Sequence, residues 1–379
     1  MTSWVVSFVQ KTKDDPRSHT NQHEAKHSCL ELVPTFEAKL TADCSMKRTL
    51  LDYLACPLCT AAIRLRSVAE EDGIEIMSGE LECTSCSQTF AIRRGVPRFA
   101  DLALVGEGKQ ATAESFGWSW QEFSHEDEGY GDELLGWITP VRPEFFPGKA
   151  VLEGGCGKGR HTHRIARWGA RDIVAVDLSD AVDLAFESTR GIENAHVVQA
   201  DIYHLPLRAV FDYAFSLGVL HHLPDPRAGF KALAAKVKPG AHISAWIYGA
   251  ENNGWIVRFV NPVREYVTSR MNWRVLFHLS KFPAAIMYAV TKLIYGPLNR
   301  SRWGKDLARH LFYNDYLSFV SAFNWREQHS IVFDHLVAPT TFYISRAEFE
   351  SWWDDVGARE IIIGWHNKNS WRGFGKLNA

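Results

Sequence analysis

A chain of 379 residues is longer than most single domains, and its 46% hydrophobic content, with 14 Trp and 22 Phe, is ample for one large packed core plus a small module. A formal net charge of −2 supplies no overall field toward nucleic acid or anionic membrane, although it leaves room for a local basic patch. Four of the seven Cys form two C-x-x-C pairs and no secretory signal precedes them, which fits a reducing, cytoplasmic address and argues against a disulfide framework.

Residues 1–45 are polar and unpatterned and read as a disordered extension, with His19, His23 and His27 spaced along what would be one helical face. The apolar run in MTSWVVSFVQK is too short for a signal-peptide core or a membrane span. Residues 46–100 change character. Cys56 and Cys59 in LACPLC and Cys83 and Cys86 in LECTSC are separated by 23 residues, a spacing that lets two tight turns present four thiolates tetrahedrally to Zn²⁺. Four Cys close the coordination shell, so this zinc is read as structural. Residues 101–148 form an aromatic, acidic linker in which Phe116, Trp120 and Phe123 can share a helical face.

From residue 149 to 250 the apolar runs AVLEGG, DIVAVDLS, AHVVQAD, YAFSLGV and AHISAWIYG alternate with helix-length stretches, which predicts a parallel sheet flanked by helices. Residues 251–340 carry no strand signal and are dense in Trp, Phe, Tyr and Leu; they are read as an inserted helical cap over the site, or an interfacial helix, since Arg274, Lys281, Pro283 and Lys292 interrupt any membrane span. Residues 341–379 give a helix announced by the capping box of Ser345 and Glu348, then two strands, REIIIGWH and WRGFGKL.

The stretch LEGGCGKGRHTHR decides what the sheet serves. Arg160 and His161 follow Gly159 where a P-loop needs Lys and Ser or Thr, and Arg160 also stands where a dinucleotide fingerprint needs its third glycine. What remains is Glu153-x-Gly155-x-Gly157-x-Gly159 between a strand and a helix. In this the chain resembles the class I S-adenosylmethionine-dependent methyltransferases, over roughly residues 115–250. The resemblance implies a Rossmann-like α/β fold, a seven-stranded sheet with helices on both faces, and S-adenosyl-L-methionine as cofactor. Glu153, Gly155, Cys156 and Gly157 would lie against the cofactor, the glycines at its methionine portion, and Asp177, with Leu178 after it, would accept the ribose hydroxyls. Asp201 and Ile202 would meet the adenine, and Ser216, Leu217 and Gly218 would pass beneath the sulfonium, with Phe116 and Trp120 folding over as a lid. The cysteine segment is similar to the Trm112-like zinc ribbon.

For the acceptor, His221 and His222 just beyond the fourth strand suit a general base, with one of the pair read as structural. Tyr313, Asn314, Asp334, His335 and Tyr343 offer hydrogen-bonding groups where such folds carry acceptor-binding insertions. The aromatic insertion suggests an apolar or amphipathic small molecule, O- or C-methylated, with nucleic acid an unlikely partner, no transmembrane segment, and peripheral membrane contact left open. A tRNA or rRNA base methyltransferase with a zinc recognition module, and a noncatalytic scaffold of the same fold, are the alternatives.

Overall fold

The structure, a computed structural model, describes residues 47–73, 75–100, 106–123 and 130–378. The expected disordered extension and its three His lie outside the described residues. The ribbon is a four-stranded antiparallel sheet, β1 (Ile63–Asp72), β2 (Glu75–Cys83), β3 (Thr89–Arg93) and the short β4 (Val96–Pro97), in that order. Two helices follow, α1 (Glu107–Glu122) and α2 (Tyr130–Trp137).

The core then alternates β5 (Ala150–Gly154), α3 (Arg160–Arg167), β6 (Asp172–Asp177), α4 (Val182–Thr189), β7 (Ala195–Gln199), β8 (Phe211–Leu217), α5 (Pro226–Ala234) and β9 (Val237–Tyr248). All five residues of β5 are buried, as strands covered on both faces require. Strand ends are positioned by what starts the helices behind them. Asp225 caps α5 by accepting from the Ala228 N–H at 2.9 Å, with Pro226 at the first helical position. The insertion supplies α6 (Asn261–Tyr266), α7 (Trp273–Val290), α8 (Gly296–Arg300), α9 (Gly304–Ala308), α10 (Asn314–Val320) and α11 (Trp325–Val337).

After α12 (Arg346–Asp355), the hairpin β10 (Arg359–His366) and β11 (Ser370–Lys376) returns to the sheet. The strand order is β10-β11-β9-β8-β5-β6-β7, with β11 antiparallel to β9 and the other inner pairs parallel, so the expected seven-stranded α/β architecture is present. The order reverses between β5 and β8, where an open α/β sheet leaves a crevice at its strand ends. The glycines of WRGFGK have a packing reason: a Cβ on Gly373 or Gly375 would come within 2.3 or 2.8 Å of the fully buried Trp353 ring of α12.

Ribbon and core share one hydrophobic cluster, in which Leu50, Tyr53 and Leu54 join Leu207 and Phe211. The Tyr53 ring stacks on Phe211 at 5.5 Å and its hydroxyl donates to Asp172 at 2.6 Å, while the Phe99 N–H donates to the Gln199 carbonyl at 2.9 Å. A backbone hydrogen bond to β7, a side-chain hydrogen bond to β6 and an apolar cluster shared with β8 therefore hold the ribbon against the sheet rather than leaving it on a hinge.

Candidate active site and metal centre

The four sulfurs of Cys56, Cys59, Cys83 and Cys86 all lie within 4.8 Å of one another. A tetrahedral Zn²⁺ with Zn–S bonds of about 2.3 Å separates its sulfurs by about 3.8 Å, so these side chains fit that ion. The Cys56–Cys86 and Cys59–Cys83 separations, 3.7 and 3.4 Å, show how little they would have to move. The backbone N–H groups of Cys86 and Ser85 point at the Cys83 sulfur and hold its thiol down to about 6, favouring the thiolate that a metal takes. Zinc there would cross-link the two turns, with no open position for a substrate.

The second site is a cavity of about 270 Å³ at the carboxyl ends of β5, β6, β8 and β9. Gly155, Cys156 and Gly157 form part of its floor, with Asp177 and Leu178 after β6, Asp201 and Ile202 after β7, and Leu217 and Gly218 at the end of β8. Phe116 and Trp120 of α1 line it as well. These residues come from distant positions and converge because each sits where a strand stops and the chain must turn.

The loop's glycines answer to close packing. Gly155 takes φ +84° and a Cβ there would meet Val219 at 2.3 Å; at Gly157, φ +51°, it would meet the Trp120 indole at 2.9 Å. Trp120 thus lies directly against the loop, with Arg160 about 5.7 Å over its ring. Asp177 is the loop's fixed point. One carboxylate oxygen accepts from the Gly157 N–H at 2.8 Å, and the other from the N–H and hydroxyl of Ser179 at 2.8 and 2.7 Å. A carboxylate offers about four lone-pair sites, so Asp177 keeps about one with which it could accept from a ribose hydroxyl of S-adenosylmethionine. Asp201 accepts from the Tyr203 N–H at 3.1 Å and pairs with Lys109 of α1, whose ammonium also sits 4.6 Å from the Tyr203 ring centroid. Lys109 was not expected from the sequence, because only α1's docking brings it there.

Three expectations are corrected. Glu153 does not reach the cavity. It is buried behind the loop, accepting from the Thr162 hydroxyl at 2.5 Å with His161 at 3.2 Å, and burial pushes its carboxyl up to about 8. Its work is to tie β5 to α3. Ser216 likewise lies under the floor, its hydroxyl donating to the Gly154 carbonyl at 2.8 Å and so joining β8 to β5. His221 is fully buried beside Tyr248, with ring centroids 4.0 Å apart, and is absent from the cavity wall.

His222 does line the cavity, against Phe116 at 4.8 Å between ring centroids. Its Nδ1–H donates to the Thr340 carbonyl at 2.9 Å, and burial lowers its pKa to about 4, so the neutral ring keeps its lone pair on Nε2. Beyond it, residues of the insertion line the same cavity. Tyr313, Asp334, His335 and Tyr343 all face it, whereas Asn314 instead donates to Asn299 of α8 and stays outside. Burial raises the Asp334 carboxyl to about 7, with Ser119 donating to it at 2.8 Å, and raises Glu133 of α2 to about 7 as well. Both groups therefore exchange a proton near neutrality. Glu133, Tyr248, Tyr316 and His366 join the wall without any signal in the sequence except Tyr248, which closes the fifth-strand run AWIYG.

Among the described residues no helix is long and apolar enough to cross a membrane. Residues 152–245 match the family model of a methyltransferase domain, and residues 47–95 that of Trm112p-like protein. Relatives include the tRNA U34 carboxymethyltransferase of Pseudoalteromonas translucida, 32% identical over 148 residues that cover 38% of this chain and 43% of the relative. The enzyme of the same name from Vibrio vulnificus is 36% identical over 99 residues, 25% of this chain and 29% of the relative. The match spans less than half the length of these relatives. A solved S-adenosylmethionine-dependent methyltransferase of Mesorhizobium loti is 24% identical with a TM-score of 0.26, covering 27% of this chain and 48% of that one. The relatives' names overturn two expectations, a small-molecule acceptor and nucleic acid as an unlikely partner. By its glycine loop, strand order and family matches, the chain is similar to methyltransferase domains over residues 152–245 and to Trm112p-like protein over residues 47–95.

Proposed function

We propose that this protein is an S-adenosylmethionine-dependent methyltransferase that modifies a tRNA base, working in the cytoplasm where tRNA resides. The observation that carries this reading is the match of the core to enzymes named tRNA U34 carboxymethyltransferase, in a chain whose cavity joins a cofactor floor to a closed aromatic chamber. Enzymes that act on a base take it out of the stack and hold it among aromatic walls and hydrogen-bonding groups. Tyr248, Tyr313, Tyr316 and Tyr343 supply such walls.

Bound S-adenosylmethionine would supply a sulfonium whose carbon is open to in-line attack. The chain's own residues position and deprotonate. Asp177 and Asp201 would hold the cofactor's ribose and adenine ends, Phe116 and Trp120 would exclude water above it, and the acceptor base would sit against the tyrosines. Asp334 and Glu133, raised toward neutrality by burial, can each donate to a base carbonyl while protonated and accept a proton once ionised. His222 Nε2 is a third acceptor among the cavity-lining residues.

The test is incubation of the purified chain with S-adenosylmethionine carrying an isotope-labelled methyl group and with bulk tRNA from a strain lacking the gene. Nucleoside mass spectrometry should show label in a modified uridine, and the mass gained should be that of a methyl group. Unlabelled tRNA, with label appearing instead in a small metabolite of the same extract, would overturn the proposal.

A further inference from the structure

The insertion carries a surface that the reaction does not use. Fourteen of the twenty exposed large hydrophobic side chains among the described residues fall between Val257 and Phe312, so the unsatisfied apolar surface of this molecule is concentrated in one segment. Along α7 and the turn after it the pattern is strictly helical. Leu276, Ser280, Ala284 and Thr291 face inward, where Ser280 meets His329 at 2.8 Å and Thr291 donates to Gln328 at 3.0 Å on α11. Val275, Leu279, Phe282, Ile286 and Leu293 recur at three-, four- and seven-residue steps on the opposite side, and Phe282 and Leu293 keep about three-quarters of their surface exposed, at 74% and 75%.

Charge selects what covers this face. Between Tyr266 and Lys305 there are seven Lys and Arg and no Asp or Glu, in a chain whose overall net charge is −2. Arg274 stands exposed at the N-terminal end of α7, and Arg300, Arg302 and Lys305 are exposed at the far end, with Trp303 among them 93% exposed. A second copy of the chain would bring like charges together around the apolar stripe. Nucleic acid would satisfy the cations but leave aliphatic Leu279, Ile286 and Leu293 against phosphate and water. An anionic bilayer satisfies both at once: apolar side chains enter the acyl boundary while Arg, Lys and Trp sit at the headgroups. From these observations we infer that the outer face of α7 and its continuation through Lys305 is a peripheral binding surface for an anionic lipid bilayer.

The test is flotation of the full chain with vesicles of phosphatidylglycerol in phosphatidylcholine, against vesicles of phosphatidylcholine alone. Binding should require the anionic lipid and weaken with salt. A double variant, Leu279→Asp with Phe282→Asp, should lose at least about tenfold in partitioning. Both positions are exposed, so its unfolding midpoint should match that of the parent. The triple variant Arg300→Glu, Arg302→Glu, Lys305→Glu, which alters no apolar side chain, should lose roughly tenfold or more on anionic vesicles. Absence of parent binding to phosphatidylglycerol vesicles overturns the inference. So does a concentration-dependent dimer that Leu279→Asp dissolves, or tRNA binding lost in the double variant while vesicle binding persists. Vesicle binding is read without tRNA, so its failure and the failure of the tRNA reading are separate results.

Discussion

The ribbon and the helical insertion are both additions to the same sheet, and they treat their apolar residues in opposite ways. The ribbon's Leu50, Tyr53 and Leu54 are buried in a cluster continuous with the core, and its edge is registered on β7 through Phe99. The insertion packs the inner face of α7 on its own α11 and lines the cavity, but leaves Phe259, Phe282, Leu293 and Trp303 in water. A segment that turns its apolar surface inward is structural; one that keeps it exposed beside seven cations with no ion pair among the described residues leaves surface available to a partner.

The largest expected effect follows metal removal. Because the ribbon is fused to the core rather than tethered, Cys83→Ser or chelation should cost several kcal/mol of the whole chain's stability, of the order seen when folding depends on structural zinc. Metal analysis and calorimetry check this together. A zinc-free protein with an unchanged unfolding midpoint would show that the two regions are independent after all.

Next in size is a pair of aromatic truncations. Trp353→Ala, removing a fully buried ring against Gly373 and Gly375, should cost about 3–5 kcal/mol. Phe282→Ala should change stability by less than about 0.5 kcal/mol. Equal losses measured in denaturant would mean that the exposed face of the insertion is covered in solution.

Between these regions lies the cofactor floor. Asp177→Ala removes a carboxylate that holds Gly157 and Ser179 and faces the ribose position, and should weaken S-adenosylmethionine binding by about 1.5–3 kcal/mol. Isothermal titration calorimetry reads this directly, and an unchanged affinity would remove Asp177 from the site.

A further expected effect is a pH dependence. Glu153 titrates at about 8 in the folded chain against an ordinary 4.5, so the folded state holds its proton more tightly than the unfolded state does. Its contribution to stability is then fully present below about 4.5 and is lost as pH rises through about 8. Glu153→Gln, which keeps an acceptor for Thr162, should flatten that decline relative to the parent when unfolding midpoints are compared at pH 5.5 and about 8.5. Parallel curves for the two proteins would show that Glu153 is already ionised in the fold.

Much of this protein was written in local pattern. Paired Cys at a fixed spacing report a metal site because four thiolates near one another need little else. Alternating apolar runs and strand-end residues such as Gly155, Gly157, Asp177 and Asp201 report a sheet and its ligand edge because a parallel strand must be apolar and its end must turn. Tertiary structure decided the rest. Glu153 belongs to the same motif as Gly155, yet only the packing of α3 shows that its carboxyl points away from the cavity. Lys109 and Glu133 reach the site because α1 and α2 fold over it, and nothing in their neighbours along the chain announces that. The His221 and His222 rings lie 4.3 Å apart between centroids, yet only His222 reaches the cavity, because His221 is buried behind it against Tyr248. Likewise the aromatic content of the insertion was visible from composition, but which of its rings close the chamber and which face outward depends on the helix rotation fixed by Ser280, Thr291 and their partners on α11.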